Sequence, residues 1–326
     1  MQAARIHQHG TPDVIVLDDV PAPAQDRHVV IDVAYAGINY VDAYQRTGRY
    51  PGIVLPLTLG IEAAGRVAYA PPDSGWRTGE RVAFAATAQG AHAEQVAVPA
   101  EGLVRLPERV ALREAAATLE HGLTAYMLFH RVARIAQGSH GWAIVHAGGG
   151  GVGRWLIHAL LLHGVDVIAL ASTTAKRAAL AQMGALPLDS TDPAWPDLAQ
   201  ERMGGLRAQW VFDSVGAATV DGSLSCLAEC GHLIVYGAAS GQVPPIDAAR
   251  LMQRSATFSR PVLPHYLRNP QQLALGADWT FAALLARPAL MDGATAFPLA
   301  EIHAAHHSLE SRQRQGKLLL EVGGEP

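Results

Sequence analysis

The sequence predicts an α/β protein in which a doubly wound parallel sheet accompanies a separate, mainly β region. Three observations carry this. From Val14 to Val98 short apolar runs are punctuated by Pro21, Pro23, Pro51, Pro56, Pro71, Pro72 and Gly79, the pattern of an antiparallel, barrel-like domain. Beyond Leu112 apolar strands alternate with amphipathic segments over short loops, which implies parallel strands with right-handed crossovers. Residues 142–153 run from an apolar strand into four consecutive glycines and then into an amphipathic segment.

In the first region Val29 to Tyr35, Gly65 to Tyr69 and Arg81 to Phe84 read as strands. Helices are expected over 113–119 and 124–136. The alternating part then gives strand 142–147, helix 152–163, strand 165–170, helix 175–183, a strand at 210–213, helix 217–228 and a strand at 232–237. The chain turns helical again over 271–285 and ends in an apolar strand, 317–322. At 326 residues the chain exceeds one core. We divide it into 1–120, 121–263 and 264–326, the last returning to the first.

Gly148, Gly150 and Gly153 fit the G-x-G-x-x-G spacing between strand and helix. The first glycine is expected to permit the tight turn, the second to let backbone approach a pyrophosphate, and the third to pack helix on strand. The helix start supplies unpaired N–H groups and a positive dipole end for the phosphates. The next strand ends at Leu170 with no acid to accept from ribose hydroxyls. Ser172, Thr173, Lys176 and Arg177 follow instead. Hydroxyls plus a cation suit a 2′-phosphate, so the expected cofactor is NADPH; alternatively Lys176 and Arg177 form a solvated helix face.

A net charge of −4 and the absence of a basic–aromatic stripe exclude a nucleic-acid partner. No apolar run reaches the ~18–20 residues of a membrane span, and the first residues carry no apolar signal core, so a cytoplasmic protein is expected. Cys226 and Cys230, the only cysteines, are expected to share one helix face as packing residues. His303, His306 and His307 read as a solvated helix face. Lys176 and Lys317 are the only lysines among 25 cationic residues.

These residues resemble the zinc-independent quinone oxidoreductases of the medium-chain dehydrogenase/reductase superfamily, in particular bacterial NADPH:quinone reductases. The resemblance runs nearly end to end. It is carried by Gly37 to Tyr44, Arg46 to Pro51, Leu59 to Gly65, Gly122 to Tyr126, His146 to Gly153, Phe212 to Gly216, Ser259 to Pro261 and Glu310 to Arg312. It implies a Rossmann domain inserted into a GroES-like catalytic domain, with the cofactor in the cleft between them. Two departures concern the adenosine side: His158 stands where the family often has Gln, and residues 188–191 offer no Tyr.

The resemblance implies pocket residues Asn39, Tyr44 and Tyr50. It implies cofactor contacts from Thr124, Gly148, Gly149, Gly150, Gly151, Val152, Ser172, Lys176, Ser214, Tyr236, Gly237, Ala238, Ser259, Arg260 and Arg312. Packing, a turn cap or ion pairs would equally account for Tyr44, Tyr50, Asn39, Arg260 and Arg312. Asn39 and Ile61 occupy places where zinc alcohol dehydrogenases carry metal ligands, so no metal is expected. The expected reaction is metal-free hydride transfer to a quinone. The alternatives are reduction of a 2-alkenal or enone, and an NADPH-binding protein without catalysis. A homodimer is expected, with its contact near Leu233 to Tyr236.

Overall fold

The computed structural model describes residues 1–311 and 316–324. Arg312 lies outside them. The chain forms two compact units, Met1–Leu123 with Pro264–Pro326, and Thr124–Leu263.

The first unit is built on the long strand Val29–Ile38, whose inward Val29, Ile31, Val33, Ala36 and Ile38 are buried. It pairs antiparallel with Glu62–Tyr69 on one side and with the last strand, Leu318–Glu321, on the other. Gln95–Val98 joins its first half. In the register Leu318 faces Ile38, so Lys317 is delivered next to Asn39 across almost the whole length of the sequence. Helix Ile302–Glu310 closes this core with Ile302, Ala305 and Leu309, spaced three and four residues apart. His306 falls on that same face and is fully buried. The expected solvated histidine face is therefore wrong for His306. Only His307 is well exposed, 3.6 Å from Asp13, while His303 bonds the Ile15 carbonyl at 2.6 Å.

The expected helices 113–119 and 124–136 are one helix, Leu112–Tyr126, continued by a π-helical stretch, Met127–Ala133. Gly122 does not break it. A Cβ there would stand 2.2 Å from Thr280, so the glycine serves close packing on helix Pro270–Ala286.

The second unit is a six-stranded parallel sheet. Its order is Leu186–Asp189, Asp166–Ala171, Trp142–Val145, Ala208–Asp213, Leu227–Val235, Thr257–Ser259. Three expectations fail here. Helix Val220–Ser225 stops early because Leu227 pairs with Ala208 and takes the chain into a strand. Cys226 is buried at the helix end, its thiol pushed up to about 11 by burial, whereas Cys230 is exposed in the strand at φ +56°. They share no helix face. Leu233 to Val235 lie in an interior strand and are buried within the unit, so the expected edge contact is not at these residues.

Candidate functional site

The strand order reverses direction between Trp142–Val145 and Ala208–Asp213. At such a switch point the loops beyond the strand carboxyl ends diverge and leave a crevice. The glycine turn leaves the first of these strands, and helix Gly151–Leu162 starts directly after it. Its N-cap, Gly150, offers no side chain, and no acid stands in the first turn, so the dipole end and its N–H groups are left for an anion.

The division of labour among the glycines differs from expectation. The left-handed residue of the turn is Ala147, at φ +48°, not Gly148. A Cβ on Gly148 would press on Ile157 and Ala169 at 3.1 and 3.2 Å, and one on Gly153 would stand 2.6 Å from the Ala147 carbonyl oxygen. Both serve close packing. A Cβ on Gly150 would meet only the Ala147 carbonyl oxygen, at 3.1 Å, so this position stays open to an approaching ligand. Gly149 lies under the aliphatic stem of Lys176, whose carbons come within 3.1–3.3 Å of where its Cβ would be.

Lys176 is thus held over the turn. Thr173 caps its helix by accepting from the Lys176 N–H at 3.3 Å, and Ser172 is exposed beside it. Arg177 is committed elsewhere. It pairs with Asp189 at 2.9 Å and donates to the Ala171 carbonyl at 3.1 Å. Asp189 ends the neighbouring strand, opposite Ala171. The sequence reading had no sign of this acid's proximity.

The remaining expected cofactor residues divide clearly. Ser214, Tyr236, Gly237 and Ala238 follow the two strands beyond the switch point, and a Cβ on Gly237 would stand 2.3 Å from the Ser214 carbonyl oxygen. Ser259 and Arg260 are bonded within the sheet, Ser259 to His232 at 2.8 Å and Arg260 to the Val235 carbonyl at 3.1 Å. Thr124 is buried within helix Leu112–Tyr126, and Val152 lies in the first turn of helix Gly151–Leu162.

Asp213 supports this edge and was not foreseen. It accepts from the backbone N–H groups of Val215 and Gly216 at 2.8 and 3.0 Å, from Thr219 and from Ser223. Ser223 also bonds His146 at 3.0 Å. Ser, His and Asp meet here, but Ser223 is fully buried and gives its proton to Asp213, so the group holds a loop.

A second polar centre lies in the first unit. Asn39, Tyr44 and Tyr50 fall on one helix and the turn after it. Asn39 caps Tyr40–Arg46, and the Tyr44 carbonyl accepts from the Tyr50 N–H at 3.1 Å. Asn39 is 5% exposed. Its Oδ1 accepts from Lys317 Nζ at 2.5 Å, and its Nδ2 donates to Glu62 Oε2 at 3.0 Å. Lys317 also pairs with Glu62 Oε2 at 2.6 Å, both side chains buried, while Glu62 Oε1 accepts from the Glu120 N–H at 2.7 Å. Two motif glycines make room for this centre. A Cβ on Gly37 would stand 2.2 Å from Glu62 Oε2, and Gly60 has φ +97° with His92 against it. Lys317 escaped the sequence reading. Its one signal was rarity, as the second of two lysines.

Below Asn39, Asp42 Oδ2 accepts from the Asn39 backbone N–H at 2.7 Å and lies 4.0 Å from His92 Nε2. Burial raises the Asp42 carboxyl to about 7 and lowers the His92 imidazole to about 4. The raised acid favours the fold below about pH 3.8 and loses that contribution as pH rises to about 7. The lowered base contributes above about 6.5 and loses it as pH falls through about 4. Over the shared window the two slopes oppose, since folding moves a proton from the histidine to the acid. Asp42→Asn removes one slope. Its Tm minus that of the parent is expected to rise by ~2 °C or more between pH 4.5 and 7.5, about 1 kcal/mol; a constant difference would refute it.

The second unit has the geometry of a dinucleotide-binding α/β fold. Residues 25–108 match the alcohol dehydrogenase GroES-like domain, and residues 151–278 match the zinc-binding dehydrogenase domain. Among the described residues no three His, Cys, Asp or Glu are grouped to hold a metal ion. The chain is 34% identical over 308 residues to a probable quinone oxidoreductase of Schizosaccharomyces pombe, covering 94% of this chain and 92% of that one. It is 31% identical over 333 residues to a 2-haloacrylate reductase of Burkholderia sp, covering 98% of each. The crystal structure of Escherichia coli quinone oxidoreductase complexed with NADPH superposes with TM-score 0.91 at 29% identity, over 98% of this chain and 100% of that one. The chain belongs to the quinone oxidoreductase family of the medium-chain dehydrogenases/reductases.

Proposed function

We propose that the protein is an NADPH-dependent reductase that transfers hydride to a quinone. The observation that carries the cofactor half is Lys176 lying over Gly149 beside a strand end with no carboxylate of its own. The glycine turn and the N-terminus of helix Gly151–Leu162 bind the diphosphate through backbone N–H groups, with Gly150 left open for its approach. Lys176 and Ser172 hold the 2′-phosphate, and Arg177 neutralises Asp189, which would otherwise repel it. Ser214 and Tyr236 to Ala238 shape the rest of the edge. Bound NADPH supplies the hydride.

In the first unit Asn39, Tyr44 and Tyr50 are the acceptor-binding groups. The bond to Glu62 uses one of the two Nδ2 hydrogens of Asn39, and the other donates to the acceptor oxygen as it gains negative charge. The protein pairs as a homodimer through an outer strand of the parallel sheet.

Lys176→Ala is expected to raise the KM for NADPH by about tenfold or more, the scale of one charge-assisted contact, and to leave that for NADH nearly unchanged. Equal changes for both nucleotides would remove the phosphate role. The reaction is tested by NADPH oxidation with 1,4-benzoquinone, a naphthoquinone and 2-alkenals side by side. Turnover with quinones is expected. The similarity to a 2-haloacrylate reductase favours a second reading, reduction of an activated C=C bond, and turnover with alkenals alone would select it.

A further inference from the structure

We propose that Lys317 is a positioning residue for Asn39. Its ammonium, together with the Glu62 carboxylate, fixes which way the Asn39 amide points, and so aims the second Nδ2 hydrogen. The inference rests on the reading above that this hydrogen meets the acceptor.

The chemistry of the three groups allows one arrangement. An ammonium only donates and a carboxylate only accepts. With Oδ1 on Lys317 at 2.5 Å and Nδ2 on Glu62 at 3.0 Å, both ends of the amide are satisfied. Turning the amide over would set its NH2 against the ammonium and its oxygen against the carboxylate. Both contacts would be repulsive in a buried site, where Lys317 is 3% and Glu62 0% exposed. The backbone of Asn39 is fixed separately, by the bond to Asp42. An ion pair serving stability alone would need only Glu62, yet the Lys317 ammonium also donates to Asn39 Oδ1. The strand register that sets Leu318 opposite Ile38 makes the contact possible.

The test uses Lys317→Met combined with Glu62→Gln, which removes both charges at once and leaves neither buried alone. In this variant the new side-chain amide at position 62 donates to Asn39 Oδ1, and the Asn39 amide turns over. The kcat for NADPH oxidation with 1,4-benzoquinone is expected to fall about 10- to 100-fold, while the KM for NADPH changes less than about 2-fold. Asn39→Asp should lose as much, and adding it to the double variant should cost little more. A second readout needs no turnover. The side-chain 15N–1H amide pair of Asn39, assigned by its loss in Asn39→Asp, should shift in the double variant. An unchanged kcat, or an amide pair left where it was, overturns the inference. A parent protein that fails to oxidise NADPH with any of the quinones or alkenals tested overturns the functional reading instead, and the amide pair alone then decides the role of Lys317.

Discussion

Gly153→Val is expected to abolish NADPH binding, raising Kd at least about 100-fold, since the diphosphate contacts depend on the turn's backbone geometry. The three atoms nearest a Cβ at this position are the Ala147 carbonyl oxygen at 2.6 Å, Gly148 Cα at 2.8 Å and the Gly148 carbonyl oxygen at 2.9 Å. All are backbone, and no side chain can rotate away. The helix must therefore lift from the turn, and its N–H groups lose their aim. Gly150→Ala separates the two roles of the glycines. At φ −82° and with one neighbour at 3.1 Å, its methyl group fits the fold. It should leave Tm nearly unchanged and still weaken binding, because it intrudes on the ligand. Fluorescence titration with NADPH, alongside circular dichroism, measures both. Wild-type affinity in Gly153→Val would sink the assignment of this turn as the diphosphate site.

The second large effect is on stability. Lys317→Met or Glu62→Gln alone should each cost about 3–5 kcal/mol, because each disrupts a buried, charge-assisted cluster and Lys317→Met strands the Glu62 carboxylate. The double substitution should recover most of that loss, since two neutral groups of similar volume need no mutual compensation. Urea unfolding of the four proteins gives the coupling energy. Additive losses would mean that the pair does not interact as the 2.6 Å distance requires. Stability and turnover are expected to part company here, with the double variant stable and slow.

What could be read from the sequence was local. The glycine spacing, the missing acid after Leu170 and the nearness of Lys176 all lie within about thirty residues, where chain connectivity alone brings groups together. The alternation of strands and helices followed from the period of the apolar residues, and it led to the right class of fold. Errors arose where a long-range contact overrode the local pattern. Pairing of Leu227 with Ala208 ended a helix that the periodicity continues. Packing against the first unit's sheet buried His306, whose neighbours in sequence look solvated. The turn before Gly149 placed its strain on Ala147 although four glycines were at hand.

The sequence by itself thus determined the fold class, the family resemblance and the glycine turn where we propose that the dinucleotide binds. Each depends on residues close along the chain or on motifs in a fixed order. The tertiary structure alone decided the polar centre around Asn39. Lys317 is 278 positions away, and only the antiparallel register of the last strand against Val29–Ile38 brings its ammonium to the amide. Neither the type of those residues nor their spacing encodes that meeting, because hydrogen bonds between adjacent strands, not chain connectivity, set the distance.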